Sequence, residues 1–261
     1  VELGVFLKHT EHDVYRAIDL LFGDKTVLKG LTAAGVGKAL ASKWNDFKDP
    51  VCVGLDAERF DQRVSVAALQ WEHSIYANFI LGQKNRERLA KLLKMQLVNR
   101  GAAYLRDGKV KYKVHGTRAS GDNNTGMGNC LIMCGLVWSY AESKGIRIRL
   151  GNNGDDCVVF MERSDLAGFT EGLMEWFEKM GFKMKIEKPC YNLEEVEFCQ
   201  THPIWTTDGW LAVRTIKRAL FKDSTCVDAL VNKKALMRWI AAVGLGGMAL
   251  TGGIPIMQEF Y

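Results

Sequence analysis

The chain has 261 residues, 48% hydrophobic and 25% charged, which suits a globular protein with a sizeable core built as one large domain or two subdomains. Its net charge of +5 and pI near 8.8 are compatible with a polyanionic partner without singling one out. Seven cysteines, an odd number with no Cys-x-x-Cys pair, argue for reduced thiols in a cytosolic setting rather than a disulfide framework or zinc site, and no apolar run approaches the ~20 residues of a membrane helix.

The chain runs from Val1 to an apolar, Gly-rich stretch ending at Tyr261, so both ends are expected to be cut from a longer polypeptide. Residues 1–49 are predicted to be mainly helical, with Thr10 as an N-cap followed by Val14, Ile18, Leu21 and Phe22 at helical spacing. His9 and His12 lack a third ligand nearby and are predicted to face solvent at the helix start. Gly35-Val36-Gly37-Lys38 lacks the spacing of a phosphate loop and reads as a turn before a helix. Val51 to Leu55 then form a short apolar run ending in Asp56, predicted to be a buried central strand. Asp61 follows, ahead of a helix carrying Val64, Val66, Leu69, Ile75, Phe79 and Ile80 to about residue 81. Local roles are open to both acids: a helix N-cap for Asp56, a first-turn charge for Asp61.

Residues 83–101 read as a helix rich in Lys and Arg. Ala103 to Val114 read as a hairpin around Asp107-Gly108, with Lys109, Lys111 and Lys113 on one face. Such a face either tracks a nucleic-acid backbone or is simply solvated. Ser120 to Asn129 form a small-residue loop leading into an apolar helix through about Glu142; such a loop permits close approach by phosphates or a nucleic-acid strand, or serves only as a helix entry.

Ile146 to Leu150 alternate at period two, and Val158, Val159 and Phe160 are strand formers, so Gly154-Asp155-Asp156 is predicted to lie at a hairpin turn. Two adjacent carboxylates there repel one another unless a divalent cation faces them, although Asn, Gly and Asp are also ordinary turn residues. Ser164 to Met180 read as an amphipathic helix with Leu166, Phe169, Leu173, Trp176 and Phe177 as its core stripe, ended by Gly181. Phe182 to Ile186 read as a strand ended by Lys188-Pro189. Val196 to Gln200 and Trp210 to Arg214 are predicted to pair around Thr207-Asp208-Gly209, and from about Thr215 the chain is helical.

Taken in order, Asp56-x4-Asp61, Ser120-Gly121, Thr125, Asn129, Gly154-Asp155-Asp156, Lys188 and Glu197-Phe198-Cys199-Gln200 closely resemble palm motifs A to E of viral RNA-dependent RNA polymerases. The wording Gly54-Leu55-Asp56-Ala57-x-Arg59-Phe60-Asp61-Gln62 resembles the tombusvirus family most. The upstream basic fingers motif of that family has no counterpart here.

The resemblance implies an α/β (α+β) polymerase palm with a small antiparallel sheet backed by helices from residues 62–81, 124–143 and 164–180. It divides the chain into partial fingers (1–49), palm (50–213, with an inserted fingers segment at about 83–115) and a truncated start of the thumb (214–261). It implies template-directed transfer from ribonucleoside triphosphates, with two Mg2+ ions about 3.5–4 Å apart, or Mn2+ in their place, on Asp56 and Asp155 and with Asp156 accessory. Asp61 and Asn129 would sense the ribose 2′-hydroxyl, and Ser120, Gly121 and Thr125 would border the nascent base pair. Lys188, with Lys185 as runner-up, would protonate the leaving pyrophosphate. Implied partners are RNA template and nascent strand, viral replicase proteins and host factors, at membrane-bound complexes in the host cytoplasm reached only through missing segments. Two rival readings are a reverse transcriptase, disfavoured by Asn129 paired with Asp61, and a non-catalytic RNA-binding or replicase-assembly fragment.

Overall fold

The computed structural model describes residues 2–226 and 232–261. Helix α1 (Glu2–Phe22) buries a stripe of Leu7, Val14, Tyr15, Ile18 and Phe22. Because that stripe extends back past residue 10, Thr10 is a buried mid-helix residue whose hydroxyl donates to Leu7 O (3.0 Å), and not the expected N-cap. His9 and His12 are exposed, as expected, but in the middle of α1. Helix α2 (Ala33–Trp44) is capped by Thr32, whose Oγ1 accepts from Gly35 N at 3.1 Å. Gly35 to Lys38 therefore lie inside a helix, contrary to the expected turn. Gly37 has backbone of Trp210 and Leu211 where a Cβ would sit, at 2.8 Å, so its missing side chain serves close packing of α2.

Strand β1 (Pro50–Ala57) leads to two helices, α3 (Phe60–Arg63) and α4 (Val66–Tyr76), in place of one helix to residue 81. The break falls where Val64 is extended and accepts a hydrogen bond from Thr117 N (2.7 Å), while the Ser65 side chain caps α4. Helix α5 (Gln83–Lys94) is shorter than predicted: Val98 to Gly101 belong to β2 (Val98–Leu105), paired antiparallel with β3 (Gly108–His115). Cross-strand partners override local helix preference here, and the turn is Arg106-Asp107.

Helix α6 (Thr125–Lys144) runs through the core. Strands β4 (Arg149–Asn153) and β5 (Asp156–Glu162) form the expected hairpin, with Ile146 to Ile148 outside it. The helix expected over 164–180 is broken by left-handed Gly172 into α7 (Leu166–Thr170) and α8 (Leu173–Lys179). Phe169, Leu173 and Phe177 are nonetheless fully buried, with Phe169 and Phe177 packed around Tyr140. Strand β6 (Met184–Ile186) follows.

The last hairpin pairs β7 (Thr201–Thr206) with β8 (Gly209–Arg214), so residues 196–200 are not its first strand. Pro203 lies within β7 opposite Ala212, and a two-stranded ribbon tolerates it because an outward N–H is dispensable. Helices α9 (Ile216–Asp223), α10 (Lys233–Thr251) and α11 (Met257–Phe260) complete the chain. The helical expectation from Thr215 also spans residues 227–231, which lie outside the described residues.

The central antiparallel sheet has the order β4-β5-β1-β6. Its strands alternate between two cores. Val51, Val53, Leu55, Val159 and Met161 pack with residues of α1, α6, α7 and α8. Cys52, Val158 and Phe160 pack with Leu40 and Ala41 of α2 and with Val196 and Phe198. Burial on both faces explains the unbroken apolar run of β1, and the cover supplied by α2 was not foreseen. Among the described residues no helix is long and apolar enough to cross a membrane.

Candidate active site

Asp56 lies at the exposed end of the otherwise buried β1. Its register fixes its neighbours. The last β1–β5 pair is Leu55↔Cys157, so the next residue out on each strand is Asp56 and Asp156; on the other side Asp56 pairs with Lys185 of β6. Asp155 sits in the adjoining turn. That turn is held from inside: Asn152, fully buried, donates Nδ2 to Gly154 O (2.8 Å), and Gly154 N donates to Cys130 Sγ of α6 (3.1 Å).

The three carboxylates carry uncompensated charge. Partial desolvation raises Asp155 above its ordinary value of 3.8, and Asp156, Asp61 and Asp56 push it further the same way. Desolvation likewise raises Asp156, with Asp56 and Glu197 adding to it and a hydrogen bond from Cys199 opposing. Among the described residues no salt bridge reaches Asp56, Asp155 or Asp156. Asp56 and Asp156 border a hollow of about 210 Å³ lined also by Glu187, Glu197, Cys199 and Arg218. Desolvation raises Glu187, with Glu197 and Asp56 contributing.

Among the described residues no three His, Cys, Asp or Glu side chains form a ready-made metal cage. Hard carboxylate oxygens that repel one another at the end of a rigid sheet do fit a divalent cation that keeps waters and shares its shell with substrate oxygens.

A second cluster forms around Asp61 in α3. Phe60, stacked on Phe182 with centroids 4.8 Å apart, pins this turn to the core. Asp61 Oδ2 accepts from Ser120 Oγ (2.5 Å) and Oδ1 from Asn129 Nδ2 (2.9 Å), joining three separate segments. Among the described residues Asn129 Oδ1 is a buried acceptor with no hydrogen-bond partner. Thr125 faces its own loop, its hydroxyl donating to Ala119 O and Asp122 O (both 2.9 Å), and Gly121 lies exposed at the loop tip. Lys188 is exposed past the end of β6, whereas Lys185 stands opposite Asp56.

Two residues beside the acids have no role of their own in the sequence reading: Cys199, named only within Glu197-Phe198-Cys199-Gln200, and Glu187. Cys199 accepts from Asn153 Nδ2 (3.3 Å) and, with Gln200, holds a left-handed backbone (φ 50° and 65°), so residues 198–200 form a tight turn against the acidic hairpin. Burial raises the Cys199 thiol to about 12, which keeps it protonated and able to donate to Asp156. Glu187 is the other; it follows β6 and lines the same hollow as Asp56 and Asp156.

A small antiparallel sheet with acids at the end of its central strand and in the adjacent hairpin turn, backed by helices, is a polymerase palm-like domain. The family model described as viral RNA dependent RNA polymerase matches residues 1–261, and the chain belongs to that family. Its curated relatives include proteins named RNA-directed RNA polymerase. That of Pothos latent virus (isolate Pigeonpea/India) is 47% identical over 261 residues, 100% of this chain and 35% of the relative. Those of Tomato bushy stunt virus (strain Cherry) and Oat chlorotic stunt virus (isolate United Kingdom) are 45% and 44% identical over 262 and 259 residues, covering 100% and 99% of this chain and 32% and 34% of theirs. The chain spans about a third of the length of these relatives.

Burial of these acids, reinforced by their repulsion, has a measurable sign. A raised folded-state pKa means the ionised acid costs stability above that pKa, and the cost is relieved as pH falls toward the ordinary value near 3.8. In metal-free buffer at pH 7, Asp155→Asn is expected to raise Tm by about 1–3 °C. The advantage should shrink as pH falls toward that ordinary value; a destabilised variant at pH 7 would contradict the assignment.

Proposed function

We propose that this chain is the catalytic core of an RNA-dependent RNA polymerase, joining ribonucleoside triphosphates on an RNA template in viral replication. The observation that carries the reading is the position of Asp56 near the end of β1 beside Asp156 at the start of the neighbouring strand β5, with Asp155 in the turn that leads into it. Asp56 and Asp155 would hold two divalent ions, Mg2+ or Mn2+, with Asp156 as accessory ligand. Those ions would activate the 3′-hydroxyl and stabilise the departing pyrophosphate.

Other residues do the positioning. Asp61 orients the Asn129 amide, and the unpartnered Asn129 Oδ1 suits a ribose 2′-hydroxyl as donor. A deoxynucleotide leaves that buried acceptor unpaired, which disfavours it and the reverse-transcriptase reading. Ser120 supports the same network and the exposed Gly121 lets a nucleotide or template approach, while Thr125 holds the loop between them. For the proton delivered to pyrophosphate, the register Asp56↔Lys185 supports Lys185 over Lys188.

Residues 1–49 and 83–115 are assigned to the fingers, 50–213 otherwise to the palm and 214–261 to the start of the thumb. On β3, Lys109, Lys111 and Lys113 are exposed on one face, with Arg100 opposite Lys113, a charge row suited to a phosphate backbone. Replicase and host proteins, and membrane-bound complexes in the host cytoplasm, are assigned on family grounds alone.

In the full polypeptide, Asp155→Ala is expected to cut metal-dependent ribonucleotide incorporation on a primed RNA template by on the order of a thousand-fold. Incorporation by the variant at near wild-type rate would sink the reading. Replacing Lys109, Lys111 and Lys113 by Ala should flatten the log–log salt dependence of single-stranded RNA affinity by about 2. An unchanged slope would mark this face as merely solvated.

A further inference from the structure

Glu72 of α4 is fully buried, and so is the side chain of Arg118, its ion-pair partner. The pair is two-pronged: Arg118 Nη2 reaches Glu72 Oε2, and Nη1 lies 3.4 Å from Oε1. Two further donors converge on the same carboxylate, Tyr76 OH (2.6 Å) and Asn124 Nδ2 (2.8 Å), both on Oε1. Asn124 is itself held by Gln96 Nε2 on its Oδ1 (2.8 Å), and Gln96 in turn by His73 (3.2 Å). Gly128 of α6 leaves room for the pair, since a Cβ there would lie 2.4 Å from Glu72 Oε1 and 2.6 Å from Arg118 Nη2.

The positions of the partners along the chain are what matter. Arg118 immediately precedes the exposed segment Ala119 to Asn123, and Asn124 immediately follows it. One carboxylate on a different helix thus grips both ends of the loop that presents Ser120 and Gly121. From that grip the loop reaches Asp61 twice, through Arg118 N to Asp61 O (2.8 Å) and Ser120 Oγ to Oδ2 (2.5 Å).

Stability alone does not call for this arrangement. A buried ion pair is often no better than well-packed apolar residues of similar volume, because desolvation offsets the attraction. It supplies direction instead: apolar contacts at the loop ends would let them slide, whereas a forked guanidinium and an amide on one fixed carboxylate set their spacing and angle.

We propose that Glu72 is a positioning residue of the sugar-sensing site, fixing both ends of loop 119–123 and so setting where Ser120 meets Asp61 and Asn129. The proposal rests on the polymerase reading for its functional half and on geometry alone for its structural half.

The test combines Glu72→Gln, which keeps the shape and the acceptor for Tyr76 and Asn124 but removes the charge, with Glu72→Leu/Arg118→Met, which replaces the pair by apolar packing. In the full polypeptide, exchange protection of the hydrogen-bonded amides of Arg118, Asp122 and Thr125 should fall by about tenfold or more in both variants while melting stays cooperative. Preference for ribo- over deoxyribonucleotides should fall by about tenfold, through nucleotide KM more than kcat, with RNA affinity unchanged. If Glu72→Gln does not fold, the apolar double variant decides. Unchanged loop protection and sugar preference in a folded variant overturns the proposal. A drop in kcat and RNA affinity with sugar preference intact also overturns it, as a general structural role. Exchange needs no catalysis, so a wild-type protein that incorporates nothing removes the polymerase reading separately and leaves the loop staple judged on its own.

Discussion

The antiparallel ladder between β1 and β5, from Pro50↔Glu162 to Leu55↔Cys157, sets the position of every acid at the sheet end. Because side chains alternate, one residue of slip would turn Val51, Val53 and Leu55 out of one core and Cys52 and Asp56 into it. Both faces are buried, so such a slip would disrupt two apolar clusters at once. The register is therefore enforced by the bulk of the core, and Asp56, Asp155 and Asp156 are held together although they repel.

The two acidic clusters are built on opposite principles. Around Asp61 the charge is satisfied by Ser120 and Asn129, and the open valence is a neutral acceptor, Asn129 Oδ1. Around Asp155 and Asp156 partial burial, with the neighbouring acids adding to it, raises both acids, and among the described residues no salt bridge answers them. The first suits recognition of a hydroxyl and the second attraction of cations. Folding energy from the core sustains the second.

Local features were legible in the sequence. The apolar run ending in Asp56, the hairpin around Gly154-Asp155-Asp156 and the small-residue loop into α6 each announce themselves within ten residues or so. Where reading failed, a distant partner decided the outcome. Gly35 and Gly37 read as a turn because only the structure reveals backbone of β8 lying against Gly37. Val98 to Gly101 read as helix because their partners on β3 are some fifteen residues away. The pairing of β7 with β8 is missed because residues 196–200 read as the first strand, and Gly172 was too weak a signal to split an otherwise amphipathic stripe. Glu72 left no trace at all, since an acid within a helix is ordinarily solvated and its match with Arg118 and Asn124 exists only in three dimensions.

The most direct test of the central claim is a manganese titration of the full polypeptide followed by electron paramagnetic resonance, with Asp56→Asn and Asp155→Asn alongside. If the end of the β1–β5 ladder is a cation site, wild-type protein should bind Mn2+ with Mg2+ competing. Each variant should lose about tenfold or more in affinity while its melting stays cooperative. Equal Mn2+ binding by wild type and both folded variants would contradict the account.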